Sequence, residues 1–108
     1  MRLRQLIKIL KDENLDKVLK LGFCNPHSYR GYYEQLAFEP SQNVRVGDML
    51  DAALDACGKT FTGYNGGQYI MLLHVEVWIS EYGSCSGEMI GPRLLNYMLK
   101  DEVDESPK

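Results

Sequence analysis

Leu3-Arg-Gln-Leu-Ile-Lys-Ile-Leu10 and, after six intervening residues, Lys17-Val-Leu-Lys-Leu-Gly-Phe23 decide the fold class, because they carry two different periods. In the first, Leu3, Leu6, Ile7 and Leu10 fall at i, i+3, i+4 and i+7, one stripe of an amphipathic helix with Arg4, Lys8 and Lys11 outside it. The second reads as a short strand closed by Asn25-Pro26. Working outward, Tyr29 to Phe38 is a second strand candidate, rich in aromatics and stopped by Pro40. Val46, Met49, Leu50, Ala53, Leu54 and Cys57 mark a second helix, with Gly58 suited to its C-terminal cap. Thr60 to Tyr64 and Gln68 to Leu73 flank the turn Asn65-Gly66-Gly67 as short strands or a hairpin. Val75, Val77 and Ile79 alternate with Glu76 and Trp78 in a third main strand, and Pro92 opens a last helix carrying Leu94, Leu95 and Met98. The order helix, strands, helix, strands, helix predicts an α+β fold: an antiparallel or mixed sheet with about three helices packed against it. No repeat or linker divides it, so residues 1–100 are expected to form one compact domain, and 101–108 an acidic disordered tail.

The bulk properties agree. The chain has 108 residues, 44% apolar and 25% charged, ordinary values for one globular domain. No apolar run approaches the ~20 residues of a membrane span, and Met1-Arg-Leu-Arg-Gln5 lacks the apolar block of a signal peptide. The expected location is therefore a cytoplasm, with no membrane partner. Residues 101–108 hold four acids and one base, leaving residues 1–100 balanced at eleven of each. So neutral a body is poorly suited to long nucleic acid, whereas a small anion needs only two or three well-placed cations. Three cysteines (Cys24, Cys57, Cys85) cannot all pair within the chain, and free thiols in a reducing compartment are expected. Cys24, His27, His74 and Cys85 lack the paired spacing of a zinc site, so no metal is expected.

The segment Asn25-Pro-His-Ser-Tyr-Arg-Gly-Tyr-Tyr-Glu-Gln-Leu-Ala-Phe-Glu-Pro40 is the oddest part of the chain, since neither parity alternates cleanly. Its Leu36–Phe38 end resembles core, while Tyr29, Tyr32 and Tyr33 surround Arg30 and Gly31. A guanidinium offers a planar fork for phosphate and tyrosine a stacking face, which together suit a ligand with a base and a phosphate. A glycine within a strand pattern fits close approach of something to the backbone. The plainer reading has the tyrosines as edge residues and Arg30 paired with Glu34. The loop Gly83-Ser-Cys-Ser-Gly87 running into Pro92-Arg93 is a second candidate, because a helix N-terminus favours an anion and an arginine there opposes the dipole. Glu88 is an internal partner for that arginine. Tyr64 and Tyr69, flanking the glycine turn, are placed to close a pocket wall. Catalytic motifs are thin: His27 adjoins Ser28, but neighbours in sequence make no triad, and no G-x-S-x-G elbow occurs.

Leu21 to Pro40, together with Val46-Gly-Asp-Met-Leu50, Gly63-Tyr-Asn-Gly-Gly67 and Trp78 with the Gly83–Gly87 loop, resembles a family of small proteins of tailed bacteriophages. Across residues 1–100 the chain looks like the first type of Thoeris anti-defence protein, a phage sponge. That resemblance implies binding, without cleavage, of a cyclic ADP-ribose isomer made by bacterial TIR-domain enzymes. Some of these sponges also sequester cyclic di- or trinucleotides of CBASS defence, at separate sites on a hexamer built from dimers. It implies a non-enzyme without cofactor or metal, acting as a homo-oligomer in the host bacterial cytoplasm. The ligand-binding residues expected on this basis are Tyr29, Arg30, Tyr32, Tyr64 and Arg93, with Asn25, His27, Ser28, Gly31 and Phe38 of the same run and Ser84 of the small-residue loop. The family carries a lysine or another residue at the place of Asn65, so no contact is assigned to that side chain. Two alternatives stand beside it: an inhibitor that binds a host protein through exposed tyrosines, and a small nucleotide-processing enzyme using His27 with Glu34 or Cys24.

Overall fold

A computed structural model describes residues 1–28, 35–62, 65–80 and 87–103. The chain forms an α+β domain in which, among the described residues, three helices accompany a mixed sheet. Helix α1 (Leu3–Lys11) buries Leu3, Leu6, Ile7 and Leu10, the stripe its period requires. Strand β1 (Val18–Ser28) runs antiparallel to β2 (Gln35–Arg45), and helix α2 (Val46–Ala56) follows directly. The start of α2 is fixed against the entry to β1 by bonds from the Val46 N–H to the Lys17 carbonyl and from the Gly47 N–H to that of Leu15, both 2.9 Å. Gly58, at φ +85°, follows the helix where an L side chain would be strained.

Strands β3 (Thr60–Thr62) and β4 (Gln68–Ile70) make a separate antiparallel pair. Strand β5 (Glu76–Ile79) then returns to the main sheet beside β2, in parallel, and β6 (Glu88–Met89) covers its other side, giving the order β1-β2-β5-β6. Helix α3 (Pro92–Lys100), with proline in its first turn, seals the core through Leu95, Met98 and Leu99. The core is continuous, with Phe23 and Phe38 at its centre, ring centroids 4.5 Å apart.

The structure departs from the sequence expectation at several points, each for a physical reason. Asn25-Pro26 does not close β1. Asn25 takes φ +48°, tolerable for asparagine, and the register shifts between Cys24 and Pro26, so a bulge absorbs the irregularity and pairing resumes to Ser28. Nor does Pro40 stop β2, which continues to Arg45. Pairing with β5 covers only Gln35 to Phe38, so Pro40 lies where β2 borders β1 alone, an edge that accepts proline. The two-residue β6 is too short to leave a period in the sequence. Finally, the ordered chain passes residue 100: the Lys20 N–H donates to the Asp101 carbonyl at 2.9 Å and the Val103 N–H to that of Val18 at 2.8 Å, adding an edge to β1. Residues 29–34 of the expected second strand lie outside the described residues.

No helix among the described residues is long and apolar enough to cross a membrane.

Candidate functional site

The site is built on the row of residues facing away from the Leu36–Phe38 core. Strand alternation sends Leu36, Phe38 and Val77, all without accessible surface, to one side. Register then sets His27, Ala37, Trp78 and Met89 in one line across β1, β2, β5 and β6. This row mixes an imidazole, a methyl group, an indole and a thioether: a polar and aromatic shelf at the end of the sheet where residues 29–34 connect β1 to β2.

Ala37 has no accessible surface and lies between His27 and Trp78 in the row. Its small side chain leaves the His27 ring room to span β2 and reach the end of β5, where Nε2 meets the carbonyl oxygen of Ser80, the residue after the strand, at 2.9 Å. A carbonyl only accepts, so Nε2 carries the proton and donates. Ser80, 4% exposed, is itself anchored by its N–H to the Phe38 carbonyl at 3.0 Å. On the other side of Ala37, the Trp78 indole N–H donates to Gln35 Oε1 at 2.5 Å. The Tyr69 hydroxyl of β4 donates to the Gln35 carbonyl oxygen at 3.5 Å, bringing the small hairpin to the same point. Tyr69 also packs on Phe61, ring centroids 6.4 Å apart. Three strands from both sheets therefore converge on Gln35, the residue that ends the Tyr/Arg-rich segment.

The expected residues fall into three groups. His27 is part of the shelf, and Asn25, exposed at the bulge of the same strand, donates from Nδ2 to Glu39 Oε2 at 2.9 Å. Ser28 ends β1 opposite Leu36. Phe38 is placed elsewhere. Its ring is fully buried against Phe23, so it belongs to the core rather than to a ligand-facing wall, as the apolar parity of Leu36 and Phe38 dictates. Arg93 is the second residue of α3, exposed, and makes no ion pair with Glu88 or any other described residue. Met89, opposite Trp78, lies four residues before it. Tyr29, Arg30, Gly31, Tyr32, Tyr64 and Ser84 lie outside the described residues.

Gln35, Glu39, Trp78 and Ser80 were not singled out by motif. Their signal is parity: Gln35, Ala37 and Glu39 alternate with Leu36 and Phe38, and Trp78 and Ser80 with Val77 and Ile79, which assigns them to one non-core face once the strands are paired. Among the described residues no group of three or more His, Cys, Asp and Glu is placed to hold a metal, and Cys24 and Cys57 are free thiols. No protein-family model, curated protein or solved structure matches the chain.

Proposed function

We propose that this chain is a sponge for a small signalling nucleotide, holding a cyclic ADP-ribose isomer of TIR-type immune signalling without cleaving it, with cyclic oligonucleotides as a second ligand class. The observation that carries the reading is the Trp78 indole held by Gln35, the residue that follows the Tyr/Arg-rich segment in the chain. A fixed indole plane offers a stacking face to a base at little entropic cost, worth about 1–3 kcal/mol per base. Arg30 and Arg93 are then the cations for the pyrophosphate, Arg93 being exposed and without an ion-pair partner among the described residues, where the α3 dipole already favours an anion. His27 serves as a positioning donor in this reading, because its Nε2 proton is engaged by the Ser80 carbonyl. The resemblance to the phage sponge family points the same way, and with it the homo-oligomer and the host bacterial cytoplasm.

Trp78 is the chain's single tryptophan, so its fluorescence reports on the shelf alone. Titration with a cyclic ADP-ribose isomer should give a saturable change in Trp78 emission and raise the melting temperature. An unchanged spectrum and melting temperature at millimolar ligand contradict the proposal.

A second reading, binding to a host protein, is favoured by one observation: Tyr97 is 62% exposed on α3. A stoichiometric protein partner captured by the wild type and lost with Tyr97→Ala would support it.

A further inference from the structure

Between α1 and the C-terminal end of α2 lies an open groove of about 490 Å³, lined by none of the residues of the His27–Trp78 row. Its floor is Ile7, Leu54 and Leu73, and its rim is Arg4, Lys8 and Lys11. The two leucines are 43% and 46% exposed, while Ile7 is anchored in the core. Leu73 is held against the start of α1 by the bond from the Arg4 N–H to its carbonyl, 3.0 Å.

The three cations follow one another at i, i+4 and i+7, so they share one side of α1 and span about 10 Å along it. Elsewhere Lys17, Lys20, Arg45 and Lys59 each have an acidic partner at 2.7–3.8 Å. Arg4, Lys8 and Lys11 have none among the described residues, although Asp12 also borders the groove. Like charges at these spacings repel, and two leucines in water add an apolar cost. A ligand that is anionic along one side and aliphatic along the other relieves both at once. The size lies within the 300–1,000 Å³ of small-molecule sites. Among the described residues the lining contains no aromatic ring, so it is suited to an alkyl chain rather than to stacking a base.

We propose that this groove binds a monomeric anionic amphiphile, its phosphate or carboxylate head group on the α1 cations and its aliphatic chain along Ile7, Leu54 and Leu73. The site is independent of the nucleotide reading. Its concave form fits one molecule rather than a flat bilayer.

The test titrates the full chain, labelled for amide NMR, with dodecyl phosphate, inorganic phosphate and dodecyltrimethylammonium, all below micelle formation. Dodecyl phosphate should bind one to one, with shifts confined to α1, Leu54, Cys57 and Leu73. It should bind at least tenfold more tightly than inorganic phosphate or the cationic analogue. The surface variants K8Q/K11Q and Leu54→Ser should each weaken it tenfold or more and leave Trp78 emission unchanged. Equal binding of the cationic analogue, shifts on other elements, or variants without effect overturn the proposal. So does sedimentation with phosphatidylglycerol vesicles in place of monomer binding, or a change in oligomer mass with K8Q/K11Q and no bound amphiphile.

Discussion

The Trp78 indole N–H and the Gln35 side-chain oxygen meet at 2.5 Å across two parallel strands, fixing an aromatic plane at the start of β2. Gln35→Leu preserves bulk and removes the acceptor. It should cost about 1 kcal/mol of stability, the net worth of one such bond, measured by urea denaturation. The same variant should loosen the indole and weaken nucleotide binding several-fold. Trp78→Phe, which keeps a smaller ring, should weaken it less than Trp78→Ala does.

Arg93 separates stability from binding. Its charge opposes the α3 dipole and has no acidic partner among the described residues, so Arg93→Gln should leave stability unchanged or raise it by about 0.3–1 kcal/mol. Under the sponge reading the same change lowers nucleotide affinity at least tenfold and flattens its salt dependence. Calorimetric titration at two ionic strengths checks both.

Gly22 is required by packing rather than by backbone conformation. A Cβ there would overlap the γ-methyl of Val44 and lie 2.8 Å from the Met49 sulfur, where β1 passes beneath α2. Gly22→Ala should therefore destabilise by about 1–3 kcal/mol, the usual cost of overpacking, seen as a lower urea midpoint with an unchanged slope.

Residues Asp101 to Val103 extend the sheet edge along β1, and Lys20 adds an ion pair to Asp101 at 3.7 Å. Truncation after Lys100 should thus lower the melting temperature more than truncation after Val103. Equal effects of the two truncations would remove these residues from the domain.

The elements governed by local period were legible in the sequence. Leu3, Leu6, Ile7 and Leu10 give α1, the Val46–Cys57 pattern gives α2, and Pro92 marks the start of α3. Residues whose structure depends on distant partners were not. Nothing local says that Asn25 adopts a left-handed conformation and lets β1 continue, nor that Pro40 falls beyond the reach of β5. The parallel pairing of β2 with β5 joins segments some forty residues apart, and only that pairing puts His27, Ala37 and Trp78 in one row. The candidate site shows the same division. The Tyr/Arg-rich segment is conspicuous as composition, whereas the His27–Trp78 shelf emerges from register, and Phe38 passes to the core because its parity matches Leu36.

The most direct test is retention and release. The protein is incubated with the product mixture of a TIR-domain enzyme, filtered free of unbound small molecules, then heat-denatured, and the released compounds are identified by mass spectrometry. The sponge account predicts an intact cyclic ADP-ribose isomer that appears only after heating, and that is lost with Arg30→Ala or Arg93→Ala. Nothing retained, or a linearised product, would contradict it: the first moves the weight to a protein-binding inhibitor and the second to an enzyme.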